Sequence, residues 1–313
     1  MGNIISFYSY KGGAGRTMGL ANVSVLLAQM GFKVLIVDWD LEAPGLEHYF
    51  KQYIDIQNIH LQDGILDLLL NPEKLNWKHC IQTIDMTKEQ IKMDLITAGK
   101  RTNGYFQKLR KLDLNQLYSE FNGFEFIENL RDEWKTHYDF TLVDSRTGVT
   151  DIGEISTIQL PDMLVLFFTA MEQSVNGVVD IHRKVMKAYQ KFPNERLKLL
   201  SIPVPGRFDS KEEFMIAQQW FDKFASKLAD IYLDWLPKSI KLKNILELTK
   251  IPYLAYFSFG EKLPVIEQGI NDPAGLGYAY ENLAALIANN LENVELLLKD
   301  RARFVPEYKP ATQ

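Results

Sequence analysis

The run SYKGGAGRTMG, residues 9–19, holds residue types that together can bind a chain of phosphates. Gly12, Gly13 and Gly15 carry no Cβ, so the backbone there can turn its N–H groups inward and let anionic oxygens approach closely. A helix starting just after them adds the positive end of its dipole. Thr17, at the head of that helix, offers a hydroxyl to a Mg²⁺ ion riding on the phosphates. Arg16 stands where the pattern G-x-x-x-x-G-K-[ST] has lysine, and Lys11 precedes the first glycine, so the run fits the variant K-G-G-x-G-[KR]-[ST]. Arginine keeps the charge but presents a planar fork of donors instead of a compact ammonium.

Two further segments carry carboxylates. VDWDLEAPG (37–45) contains Asp38 and Asp40, and LVDSRTG (142–148) contains Asp144. Each follows a short apolar run, and the C-terminal ends of such strands are where ligands sit in open parallel sheets.

These residues need a scaffold that brings three chain segments to one edge. Residues 3–10, β-branched and aromatic, read as a buried strand; 17–30 read as a helix with Leu20, Val23, Leu27 and Met30 at helical spacing and Gly31 as its stop; 33–38 read as a second strand. Strand, glycine loop, helix and strand make a βαβ unit. Further apolar strands are predicted at 139–144, 163–170 and 197–204, the last ended by Pro203, Pro205 and Gly206, with helices at 123–137, about 178–192, 212–236 and 274–299. The spacing predicts an α/β fold, a doubly wound, mostly parallel sheet flanked by helices. Residues from about 50 to 122 are less regular, with a helix at 64–70 and a short strand at 93–99, and read as an insertion within a single domain spanning 1–313.

Composition bounds the rest. The 313 residues are 46% hydrophobic and 24% charged, with a formal net charge of −5, which suits a globular chain and argues against coating nucleic acid through overall field. Runs such as MLVLFFTAM fall short of the roughly 20 residues of a membrane span. With no basic leader before the first strand, the expected location is the cytoplasm. A single cysteine, Cys80, leaves no internal disulfide and no all-cysteine metal site within one chain. The basic clusters KLRK (108–111) and PKSIKLK (237–243) read as solvated faces.

On KGGAGRT, VDWDLEAPG and LVDSRTG, the sequence resembles the ParA/MinD family of deviant Walker A P-loop ATPases, in a KGGVGRT-type branch. The resemblance implies a P-loop NTPase fold and roles for particular residues. Lys11 would reach across a dimer interface to the partner's nucleotide; Gly12, Gly13, Ala14 and Gly15 would cradle the phosphates, with Arg16 on the β- and γ-phosphates. Met18 stands where many relatives have a hydroxyl residue directed at the α-phosphate. Thr17 and Asp144 would bind Mg²⁺ or its water, with Asp38 nearby through water. Asp40 would orient the attacking water in the first switch, and Gly148 would follow the γ-phosphate in the second. Arg146 takes a position where many relatives have proline. Arg207, in VPGRFD, stands where relatives contact the base, and IPYLAYFSFGEKLPV (251–265) and AYENLAALI (279–287) resemble the family's late segments.

The expected activity is Mg²⁺-dependent hydrolysis of ATP to ADP and phosphate, slow and partner-stimulated, with Lys11, Arg16 and Asp40 as catalytic groups. ATP would favour a homodimer that controls a partner protein, the KGGVGRT-type association being with bacterial defence or signalling assemblies. Two alternatives stay open: a ParA-like partitioning ATPase on DNA, which the charge balance does not favour, and a pseudo-ATPase using nucleotide structurally. Iron–sulfur relatives need cysteine pairs, and membrane-positioning relatives end in a basic amphipathic helix, whereas this chain ends FVPEYKPATQ. Neither a cluster nor a membrane is therefore expected as partner.

Overall fold

A computed structural model describes residues 1–101, 103–148, 151–192, 196, 198–209 and 213–308, and in it β1 (Asn3–Ser9) is an inner strand, buried from Ile4 onward. It lies in a seven-stranded sheet with β2 (Val34–Asp38), β3 (Ile81–Met86), β4 (Ile91–Ile96), β5 (Phe140–Asp144), β6 (Met163–Phe168) and β7 (Leu200–Pro205) in the order β3-β4-β2-β5-β1-β6-β7. All pairings are parallel except the β3–β4 hairpin at one edge. Successive strand residues face opposite sides. In β2, Val34 and Ile36 join the larger core, and Leu35 and Val37 join the second core on the other face.

Helices cover both faces, as continuous apolar parallel strands require. The larger core holds α1 (Arg16–Gln29), α4 (Glu172–Tyr189), α5 (Phe214–Lys227), α6 (Leu242–Thr249) and α7 (Leu276–Ala288), and the opposite core holds α2 (Ile65–Leu70) and α3 (Gly123–His137). α1 is clamped between the sheet and α7, so it is buried on nearly every side from Gly19 to Leu27. Gly19 permits this closeness, since a Cβ there would stand 2.4 Å from Cζ of Phe167.

The sheet pairings align the functional strand ends. Phe7 and Asp38 both pair with Asp144, so β1, β2 and β5 finish side by side. The glycine loop leaves β1 at that edge.

The structure departs from the sequence expectation in four places. Residues 50–122 supply two strands of the main sheet, β4 extending it beside β2 and β3 capping the edge. The strand expected at 93–99 starts at Ile91, and β3 escaped notice because an edge strand with one wet face has only alternating burial. Pro203 lies inside β7 instead of ending it; β7 is an edge strand, where a residue without an N–H is tolerated. The helix expected at 274–299 breaks after Ala288 and resumes at Val294–Lys299, because Asn290, Leu291 and Asn293 adopt left-handed φ values of 50, 60 and 54°. Asn289 Nδ2 secures the break by donating to the carbonyls of Ala285 and Phe304, each at 2.9 Å. The helix expected at 212–236 is α5 followed by a short turn, Ala229–Tyr232, and its expected start, Glu212, lies outside the described residues, as does Leu197 at the expected start of β7.

Candidate nucleotide site

Gly13 and Gly15 have φ of 80 and 90°, the left-handed region that side-chain-bearing residues rarely adopt, so the turn between β1 and α1 depends on these two glycines. Gly15 is the N-cap of α1, whose first residues are Arg16 and Thr17. The loop is braced from outside by the chain leaving β7. A Cβ on Gly206 would stand 2.2 Å from the Ala14 carbonyl oxygen, and Arg207, itself at φ 51°, donates from Nη1 to the Gly13 carbonyl at 3.3 Å.

Beside the loop lies a cavity of about 410 Å³. Gly12, Gly13, Ala14, Gly15, Arg16, Thr17, Met18, Asp40 and Arg207 all line it, so most of the residues singled out in the sequence meet there. Thr147 also lines it, whereas Lys11, Asp38, Asp144 and Gly148 do not. Lys11 is exposed, with its ammonium 5.9 Å from the centre of the Tyr10 ring. Gly148, at φ 78°, accepts a hydrogen bond from the Tyr8 hydroxyl at 3.2 Å. The opposite wall is aromatic and was not assigned from the sequence: Tyr49, Tyr253, Phe257 and Tyr280. The Arg207 guanidinium lies 5.2 Å from the Tyr253 ring centre. At that distance the cation and the ring hold each other, forming a flat rim beside the cavity. Tyr253 and Tyr280 fall within the quoted late segments, but a single aromatic letter there reads equally well as core.

Behind the loop the charged groups converge. Arg16, 7% exposed, donates from Nε to Asp144 Oδ1 at 2.6 Å and from Nη2 to Asp40 Oδ2 at 3.0 Å. Thr17 Oγ1 donates to Asp144 Oδ2 at 2.8 Å. Arg16 is therefore turned onto the carboxylates of β5 and the β2 loop, whereas its sequence pattern directs it at phosphates. Burial works against its charge, but Asp144 and Asp40 outweigh that and hold its pKa above the usual arginine value. Burial raises the Asp144 pKa, with Arg16 and Thr17 opposing the rise.

The Asp38 carboxylate is held by the backbone of the loop that follows it. Its Oδ1 accepts from the Asp40 N–H at 3.1 Å, and its Oδ2 accepts from the N–H groups of Gly45 at 2.9 Å and Leu46 at 3.2 Å. These bonds shape the loop that presents Asp40. Burial first, then Asp144 and Glu47, push the Asp38 pKa up to about 8. The two loops at the site are tied directly, Arg146 of the segment after β5 forming an ion pair with Glu42 of the segment after β2.

The hydroxyl of Thr17 and the carboxylates of Asp40 and Asp144 are hard oxygen donors of the kind Mg²⁺ takes. The donor set fits that ion once Arg16 gives up its hold on Asp144 and Asp40.

Comparison with known proteins places this geometry in context. A family model described as an AAA domain matches residues 2–199. An uncharacterized ATP-binding protein of Methanocaldococcus jannaschii is 27% identical over 179 residues, 56% of this chain and 57% of that protein, so the match spans little more than half of that relative. Among solved structures, the septum site-determining protein MinD of Pyrococcus horikoshii OT3, complexed with Mg-ADP, aligns with a TM-score of 0.62 at 21% identity, covering 94% of this chain and 99% of that one. A putative plasmid partition protein of Borrelia burgdorferi B31 bound to AMPPNP aligns with a TM-score of 0.60 at 18% identity, covering 92% and 99%.

Proposed function

From the premise that the chain belongs to the AAA-domain family, with a ParA/MinD-type P-loop fold, we propose that it is an ATP-hydrolysing switch of the deviant Walker A branch. The observation that carries this reading is the meeting of Arg16 and Thr17 from the start of α1, Asp40 from the β2 loop and Asp144 from the end of β5 at one cavity edge. Three chain segments contribute to that cluster, and a fold-supporting ion pair needs only two.

ATP binds with its phosphates on the backbone of residues 12–17 and its base beside Arg207 and the aromatic wall. Thr17 and Asp144 would hold Mg²⁺, with Asp38 behind them fixing the loop. Bound Mg²⁺ supplies charge neutralisation on the phosphates. Asp40 orients the attacking water, and Gly148 and Thr147 sense the γ-phosphate. The Arg146–Glu42 pair makes the two loops respond together. Loop ordering by nucleotide then favours a homodimer, with Lys11 from each copy serving the other's nucleotide, and the dimer controls a partner protein. The single-domain organisation proposed for 1–313 makes the whole chain the switch.

Part of the positive charge a DNA-partitioning role would draw on is offset at the surface. Lys108 pairs with Asp67, Lys100 with Asp63, Arg101 with Glu47 and Lys243 with Asp222, so members of both basic clusters and their neighbours are neutralised locally. Among the described residues no helix is long and apolar enough to cross a membrane.

Titration with a fluorescent ATP analogue, with phosphate release followed on the same samples, tests the site. The wild-type chain should bind and release phosphate, and Asp40→Ala should bind while release falls by about 100-fold or more, as when a positioned proton-handling group is lost. Undiminished release in Asp40→Ala would remove Asp40 from the reaction.

A further inference from the structure

Arg16 occupies more than one side of the carboxylate cluster. Its Nη2 lies 3.0 Å from Asp40 Oδ2, 3.4 Å from Asp144 Oδ2 and 3.5 Å from Thr17 Oγ1, while Nε holds Asp144 Oδ1 at 2.6 Å. One nitrogen of a buried cation is thus surrounded by oxygens from Thr17 and Asp144, the two residues proposed to hold the divalent ion, and from Asp40 beside them. Both Asp144 oxygens are engaged, one of them accepting a hydrogen bond from the Thr17 hydroxyl. A divalent ion approaching this cluster would meet a guanidinium already in place, in a region where water screens little. The fork geometry makes this arrangement available, since a lysine ammonium is a single point and cannot grip Asp144 through one nitrogen and Asp40 through another. The grip is incomplete in one respect: Nη1 of Arg16 is buried with no hydrogen-bond partner among the described residues. A buried donor without a partner is costly, and an anionic oxygen reaching it would relieve that cost.

We propose that Arg16 is the protein's own cation in the metal position of the nucleotide-free chain, so that the site excludes divalent ions until a polyphosphate draws the guanidinium off Asp40 and Asp144. This rests on the reading of the cavity as an ATP site. It assigns the arginine of KGGAGRT a second role beyond contacting phosphate: it couples metal entry to nucleotide entry. A divalent ion cannot lodge alone and pre-order the loops of Asp40 and Thr147. Only the metal–nucleotide pair then changes the state of the switch.

The test is a titration of the full chain with Mn²⁺, followed by the electron-paramagnetic-resonance signal of free Mn²⁺, without nucleotide. Wild type should remove no stoichiometric Mn²⁺. Arg16→Met, neutral and of comparable length, should gain one site at least tenfold tighter, and the site should vanish in Arg16→Met/Asp144→Asn. Melting temperature gives a second readout, rising with Mn²⁺ in Arg16→Met and unchanged in wild type. Wild type binding Mn²⁺ as tightly as Arg16→Met, or no gain in Arg16→Met, would overturn the proposal. Should Arg16→Met fail to fold with and without Mn²⁺, Arg16→Gln decides: its amide brings no charge to the carboxylates, so Mn²⁺ affinity must rise at least tenfold, and no rise refutes the proposal. Binding of the fluorescent ATP analogue is measured separately in EDTA and in Mg²⁺. Absence of binding in both would sink the nucleotide reading, and the Mn²⁺ comparison would still judge what Arg16 does.

Discussion

Gly13 shows how far single residues reveal the site. Its φ of 80° is reachable for glycine at little cost, whereas an alanine there would carry roughly 1–2 kcal/mol of backbone strain. Gly13→Ala should therefore weaken binding of a fluorescent ATP analogue by about tenfold, and unchanged affinity would mean that the loop is not the phosphate cradle. The glycines, Thr17 and the aspartates were legible because their chemistry is local: a turn needs glycine, and a strand end presents its last side chain. What the sequence hides is which partner each charge chooses. Nothing in KGGAGRT shows that Arg16 turns back onto Asp144, 128 positions away, or that Asp38 spends its oxygens on the backbone of Asp40, Gly45 and Leu46. The positive φ of Arg207 is equally invisible, since arginine carries no preference for it.

At the scale of elements, the glycine loop is held by the chain end of β7. Gly206 touches the Ala14 carbonyl so closely that Gly206→Ala must displace backbone, and overpacking of this kind costs about 1–3 kcal/mol. The substitution should lower both the urea midpoint and the affinity for nucleotide, and a loss of stability with unchanged affinity would show that β7 does not brace the loop. Cys80 sits where the segment after α2 enters β3, 1% exposed, and burial pushes its thiol pKa up to about 12. It should resist iodoacetamide at pH 8 in the native chain and react after unfolding; rapid native labelling would mean that the β3 edge opens readily. The apolar strands β1, β2, β5 and β6 were readable as strands because each is buried on both faces. Strand β3 and the break in the last helix were not, since an edge strand buried on one face gives a weak signal and asparagine tolerates left-handed backbone without announcing where it will use it.

The whole molecule places three strand ends, the first turn of α1 and the segment following β7 around one cavity, and the two loops that face it are joined by Arg146 and Glu42. That arrangement suits a device whose shape depends on what the cavity holds. The resemblance in the motifs pointed to the same fold that comparison with solved structures supports. Sequence could not say which partners the chain's own charges choose, because that depends on a network of contacts distant along the chain. In the proposed switch, bound ATP changes the association state and hydrolysis reverses it. The most direct measurement is light-scattering mass of the purified chain with ATP and Mg²⁺, with ADP, and of Asp40→Ala with ATP and Mg²⁺. The account predicts a dimer with ATP, a monomer with ADP and a persistent dimer for Asp40→Ala; one mass in all three conditions, with nucleotide bound, would contradict it.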